Sequence, residues 1–394
     1  MSECPAWLGP APSPCFVIDC DQLERNCKIL AAVRRATGAR ILLALKAFSA
    51  WSVFPLLARY LQGTCASSVD EARLGAECFG GETHAFAAAW SAPEMRELAG
   101  YADHIVFNSL EQWRKLGPGA AAGQTRRGAA IEFGLRINPE HSEGAVAIYN
   151  PCAPGSRLGI RRGALKALGD RLPAGLSGLH FHTLCEQGAD ALERTLAAVE
   201  AKFAPWLPDC QWINFGGGHH ITKPGYDLDL LISLIRRWQA RYGCRIYLEP
   251  GEAVALNAGW LVATVLDVVE ADLPIAILDV SVSCHMPDVL EMPYRPEVWL
   301  LPDCERGERT GAAVCRLAGK SCLAGDVIGE YAFSRQPVVG DRLAFADMAI
   351  YSMVKTTTFN GLRLPSIALH DSGSEPALRV IREFDYADFK TRLS

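Results

Sequence analysis

The 394-residue chain contains no apolar run long enough to span a bilayer, so a helical membrane protein is not expected. None of its 14 cysteines forms a C-x-x-C pair, which argues against a zinc ribbon. Basic residues form no stripe and the net charge is −5, so no nucleic-acid partner is expected. Residues 1–14 carry Glu3 and four prolines but neither a basic start nor an apolar stretch, and are not expected to be a signal peptide. There is no internal repeat and no low-complexity tract; residues 120–123 read as an exposed loop.

What remains is ordinary globular composition, 49% hydrophobic and 21% charged, with apolar mass for one large core or two. The cysteines are scattered, and Cys65, Cys78, Cys210 and Cys315 lie inside apolar runs as small hydrophobes. A reduced, cytoplasmic protein is the expectation.

Between about residues 21 and 255, helical patterns alternate with short strand-like runs. The runs lie at 41–45, 65–67, 85–88, 105–107, 132–137, 178–182, 212–215 and 245–249, with helical stretches at 22–37, 51–62 and from about 70. That alternation predicts an α/β (β/α)8 barrel. From about 256 to 394 the texture changes to strands at 260–269, 275–280, 311–317 and 342–346, with Gly and Pro between them. This predicts a second, mostly β domain, to which residues 1–20, with the strand-like Cys15–Asp19, are expected to add.

Chemistry-bearing residues cluster at the predicted barrel-strand ends. Lys46 closes the first run, and a partly desolvated lysine on the catalytic face of a barrel can attack an aldehyde. His180 and His182 share a strand face by alternation. Gly216, Gly217 and Gly218 follow Asn214-Phe215, and such a triplet lets backbone N–H groups converge on a phosphate. Glu249 opens Glu249-Pro250-Gly251-Glu252-Ala253. The H-x-H pair also admits a metal-dependent barrel hydrolase, with His219 and His220 as further ligands. The full set of amine, imidazole, phosphate cradle and carboxylate is what holding pyridoxal 5′-phosphate requires.

These stretches, together with residues 182–186, 285–296, 319–326 and 359–361, resemble the fold type III pyridoxal-phosphate decarboxylases, the group of ornithine and diaminopimelate decarboxylases. The resemblance runs nearly end to end. It implies Lys46 as the lysine that forms an imine with the cofactor and His182 as the imidazole stacked on its ring. It implies Gly216, Gly217, Gly218 and Tyr351 as phosphate ligands, and Glu249 as the partner of the pyridine nitrogen. Cys322 would handle the proton at Cα after CO2 leaves, reaching the site from the other subunit of a homodimer with shared active sites.

Three positions depart from the ornithine and diaminopimelate patterns. Glu252 replaces an arginine, Leu323 replaces the acid after the reactive cysteine, and Cys185 replaces a serine. All three are similar to the branch of the family acting on carboxylated polyamines. A polyamine-like substrate carries ammonium groups far from the reacting carbon, which call for carboxylates. Glu252, Asp288, Glu291 and Asp326 are the candidates.

Overall fold

In the computed structural model, which describes residues 4–121, 123–144, 150–167 and 169–394, the strand-like runs fold into two compact units. Glu3 and Ala122 lie outside the described residues. The first unit is Glu24–Val254; the second takes the residues up to Leu23 together with Ala255–Ser394.

Following β1 (Cys15–Asp19), eight strands close the first unit into a barrel: β2 (Arg40–Ala44), β3 (Gly63–Ala66), β4 (Glu82–Phe86), β5 (His104–Phe107), β6 (Glu132–Arg136), β7 (Gly178–His180), β8 (Trp212–Asn214) and β9 (Arg245–Leu248). All pair in parallel in chain order, and β9 returns to β2. Each expected apolar run overlaps one of these strands, though β2, β3, β4 and β5 begin one to three residues before the run. Chain-order parallel pairing with helices between the strands is the (β/α)8 arrangement.

Period-two alternation decides what fills the barrel. Trp212 points inward and is fully buried. Its ring needs glycine on the two preceding strands: a Cβ on Gly178 would lie 2.1 Å from the indole, and one on Gly134 2.3 Å away. Leu42, Val106 and Tyr247 pack around the same ring. At the strand starts the interior turns polar. His84 and His104 stack with centroids 4.0 Å apart, and Glu132 holds Arg245 at 2.7 Å. These stacked and paired side chains put ionisable groups inside the barrel, whereas Thr64 of β3 turns outward against Gly75.

Two local expectations change. The helix expected at 51–62 is only a 3-10 turn (Trp51–Val53) and one α-turn (Phe54–Leu57). Its apolar residues Val53, Phe54, Leu57 and Leu61 are buried as an amphipathic pattern requires, while Trp51 is 61% exposed. Ala120 is not in a loop but ends the helix Leu110–Ala120, with its methyl buried.

In the second unit β1 runs antiparallel to β10 (Gly259–Val269) and parallel to β17 (Ser366–His370). Alternate residues of β1 and β10 feed different cores. Phe16, Leu261, Ala263 and Val265 enter one cluster, while Cys15, Val17, Trp260 and Val262 enter another. Burial on both faces explains why β1 reads as a continuous apolar run. The sheet grows through β11 (Ile275–Leu278), β12 (Val298–Leu300), β13 (Glu305–Arg306), β14 (Ala313–Ala318), β15 (Val327–Phe333), β16 (Arg342–Ala346) and β18 (Leu378–Arg382). The last has little core-facing pattern, its residues being exposed or half-exposed, and its sequence gives correspondingly little signal.

No described helix is long and apolar enough to cross a membrane. None of the 14 cysteines is joined in a disulfide. Cys65, Cys210 and Cys315 are buried as expected, but Cys78 is exposed. Burial holds His84 down at about 3, and His219 and His285 down at about 4. A histidine kept neutral in the fold but protonated once unfolded takes up a proton on unfolding. Its contribution to stability is therefore full above pH 6.5 and is lost as pH falls below it, by up to ~1.4 kcal/mol per pH unit. The thermal midpoint should fall between pH 7 and 5.5, and His84→Gln should flatten that dependence. An unchanged slope in the variant would contradict this assignment.

Candidate active site

Lys46 lies two residues beyond β2, and its accessible surface faces a pocket shared with Cys65, Phe86, Arg136, His180 and Glu249. Dense protein around the amine lowers its pKa, an effect reinforced by Arg136 and opposed by Cys65 and Glu249. Lowering the pKa raises the fraction present as free amine, the form that attacks a carbonyl.

Glu249 follows β9 and is buried, yet it is held ionised. Burial pushes its carboxyl up. The His180 and His84 rings and a hydrogen bond from the Cys65 thiol outweigh burial and hold it at about 2. Asn214, the last residue of β8, donates from Nδ2 to Glu249 Oε1 at 2.6 Å, and its own Oδ1 accepts the Gly216 N–H at 2.8 Å. One buried amide thus fixes both the carboxylate and the start of the glycine triplet.

The triplet follows β8 directly. Gly216 and Gly218 have φ of +71° and +80°, where a side chain is strained. Space is equally restrictive: a Cβ on Gly217 would lie 2.4 Å from the Glu249 carbonyl, and one on Gly218 1.9 Å from that of Leu184. The expected convergence of three N–H groups is altered by local bonding. The Gly216 N–H goes to Asn214, and the Gly217 N–H donates to His182 Nδ1 at 2.8 Å. That bond places the proton of the neutral His182 ring on Nε2 and fixes the ring's orientation. Burial, with Lys46 and Arg136 nearby, holds the His182 pKa well below the usual histidine value.

Arg136, His180 and Cys65 line this pocket with ionisable groups that were not among the expected site residues. Arg136 ends β6, donates to the His182 carbonyl at 3.1 Å and lies 4.6 Å from the Phe86 ring centre. Burial brings its guanidinium down to about 10, so it stays charged. Its signal resembles that of Lys46, a cation closing an apolar run. His180 was visible in the H-x-H pair, and its Nε2 stands 3.3 Å from Glu249 Oε2. Cys65 looked like a small hydrophobe, and nothing in its sequence neighbourhood marks its bond to Glu249.

Glu252 is 3.1 Å from Nε2 of His220. Among the described residues, His/Cys/Asp/Glu groups with metal-like spacing are Glu82-His84-His104, Asp19-Asp21-His370 and Glu186-His220-Glu252. The H-x-H pair belongs to none of them. In the first group the Arg40 guanidinium already pairs with Glu82, and that of Arg127 lies 3.9 Å away. Two fixed cations beside the carboxylate oppose a third.

The remaining expected residues lie in the second unit. Cys322 is exposed, and its thiol donates to Asn360 Oδ1 at 3.3 Å. Asp326 is buried, and its carboxylate accepts the Val282 N–H at 2.6 Å and the Ser321 N–H at 3.0 Å. Its oxygens thereby brace the loop that carries Cys322. Asp288 and Glu291 grip the Lys355 ammonium at 2.5 and 2.7 Å. Tyr351 adopts a left-handed φ of +56°, with the Lys355 ammonium 5.5 Å from its ring centre.

A (β/α)8 barrel with a strand-end lysine facing an ionised buried carboxylate, on a chain with a β domain, defines the fold type III class of pyridoxal enzymes. Residues 15–349 match the family model described as pyridoxal-dependent decarboxylase, C-terminal sheet domain. The chain is 44% identical to carboxyaminopropylagmatine decarboxylase of Synechocystis, over 98% of this chain and 96% of the relative. It is 42% identical to carboxynorspermidine/carboxyspermidine decarboxylase of Campylobacter jejuni, over 96% and 98% respectively. A crystal structure of the Campylobacter jejuni carboxynorspermidine decarboxylase complexed with norspermidine superposes with a TM-score of 0.85 at 41% identity, covering 97% of this chain and all of that one (100%). The chain belongs to the pyridoxal-dependent decarboxylase family.

Replacing Asn214 by Ala would strand the Glu249 carboxylate oxygen and the Gly216 N–H in the barrel interior. A loss of ~2–4 kcal/mol is expected, because one of the two broken bonds is to a charged group. Urea unfolding measures it, and a change under about 1 kcal/mol would show that Asn214 does not brace the site.

Proposed function

We propose that this protein removes CO2 from carboxynorspermidine or carboxyspermidine, yielding norspermidine or spermidine in polyamine biosynthesis, with pyridoxal 5′-phosphate as cofactor. The observation that carries the reading is the Lys46 amine facing the ionised Glu249 in one pocket, with the His182 ring fixed beside them. Near-full-length relatives named for that decarboxylation support it.

The residues fit the cofactor. Lys46 is the nucleophile for its aldehyde, and Glu249 is an anion for its ring nitrogen. His182 offers a fixed ring face, and the triplet is a cradle that any Cβ would fill. When bound, pyridoxal phosphate supplies an electron sink for the pair left as CO2 departs. The chain's own tasks are then positional and protonic. Glu249 stays charged and so favours a protonated ring nitrogen. Arg136 adds a fixed positive charge that suits an anionic substrate head. Cys322 is proposed to deliver the proton to Cα, from the partner subunit of a homodimer. Gly216, Gly217, Gly218 and Tyr351 are proposed to hold the phosphate.

For the distal amines, Asp288 and Glu291 are proposed; they pair with the Lys355 ammonium, whose place a substrate ammonium would take. Glu252 and Asp326 are weaker proposals, Asp326 because its oxygens accept backbone N–H groups. The 44% relative favours a second reading, with carboxyaminopropylagmatine as substrate. Fourteen cysteines without a disulfide support a reducing, cytoplasmic setting.

Lys46→Ala should abolish turnover and the borohydride-reducible bond between chain and cofactor; retained turnover would overturn the assignment. Asp288→Ala should raise KM for the carboxylated triamine about tenfold and leave kcat within about twofold, as loss of uniform binding does. An unchanged KM would remove Asp288 from the substrate site.

A further inference from the structure

His180 is only 2% exposed; among the described residues its Nδ1 has no hydrogen-bond partner, and its Nε2 makes only a long contact with Glu249. A buried, unsatisfied imidazole is unusual enough to need a physical reason. Its surroundings supply one. Nε2 stands 3.3 Å from Glu249 Oε2, within reach but off the line of a well-formed bond, and the ring borders the pocket that holds Lys46. The other carboxylate oxygen, Oε1, is already fixed by Asn214.

We propose that His180 is a positioning residue that acts through Glu249, donating from its ring N–H to Oε2 so that the carboxylate stays ionised and aimed at the ring nitrogen of pyridoxal phosphate. The inference rests on the cofactor reading above. Burial lowers the pKa of the imidazole, so at pH 7 it offers Glu249 an N–H and not a positive charge. A neutral donor suits the task. A second cation beside the carboxylate would compete with the protonated pyridine, whereas an N–H stabilises the anion and leaves its charge available.

The other groups facing Glu249 have different duties. Cys65 reaches it from β3, His84 from β4, Arg136 from β6 and Lys46 from beyond β2. Cys65 donates a weak S–H bond. Arg136 is committed to the His182 carbonyl and the Phe86 face, and Lys46 to the aldehyde. The imidazole is the neutral N–H donor left for Oε2.

The test compares binding of two compounds to the apoenzyme: pyridoxal phosphate, and its 1-deaza analogue, in which carbon replaces the ring nitrogen. His180→Phe should weaken pyridoxal phosphate five- to tenfold while changing the analogue less than twofold. His180→Gln, which keeps an N–H donor, should stay within about threefold of wild type for both. Should the phenyl ring prevent folding, His180→Ala carries the same comparison. Equal weakening of both compounds, or of neither, would overturn the proposal, since a merely structural residue does not distinguish a ring nitrogen from a carbon. A wild-type apoenzyme that binds neither compound would instead overturn the cofactor reading, and this inference with it.

Discussion

The first unit is organised around a carboxylate that has to stay charged where little water reaches it. Glu249 is buried, and an ionised carboxyl in such a place survives only if its lost hydration is replaced by fixed donors and nearby cations. The barrel provides them from several strands at once. Asn214 of β8 and Cys65 of β3 donate to it and His180 of β7 stands beside it, while Lys46 and Arg136 contribute charge from beyond β2 and from β6. No one strand could supply this set. A closed parallel barrel can, because all its strand ends converge on one face.

The same convergence links the carboxylate to the rest of the pocket. Asn214 spends one end of its amide on Glu249 and the other on Gly216. Gly217 then fixes the His182 ring, whose carbonyl is held by Arg136. Acid, glycine turn, imidazole and guanidinium therefore form one bonded chain. Beneath it, Trp212 fills the space left by Gly134 and Gly178 and closes the barrel interior below the pocket.

The strands were legible because most contain a short apolar run, and after two of them a chemically distinct residue follows, Lys46 beyond β2 and Glu249 beyond β9. Residues that act through partners remote in sequence were not. Cys65 is indistinguishable from a core thiol until β9 brings Glu249 against it. Arg136 closes its run as Lys46 does, but its commitments to His182 and Phe86 exist only once the barrel is closed. The glycine triplet was legible as a backbone device, while the diversion of two of its N–H groups to Asn214 and His182 depends on side-chain geometry. Asp326 shows the converse: its place in a motif suggested contact with substrate, yet its carboxylate is occupied by backbone donors. In the second unit, β1 was visible through burial on both faces, and β18 was obscured by its exposure.

Substrate choice separates the proposed reaction, decarboxylation of an amino acid with a long, cationic tail, from decarboxylation of a short basic amino acid. The decisive measurement is the rate of CO2 release, with product identified by mass spectrometry, from carboxynorspermidine, carboxyspermidine, carboxyaminopropylagmatine, diaminopimelate and ornithine side by side. The expected result is that kcat/KM is highest for carboxynorspermidine or carboxyspermidine and at least a hundredfold lower for diaminopimelate and ornithine. Preferred turnover of diaminopimelate or ornithine would contradict it.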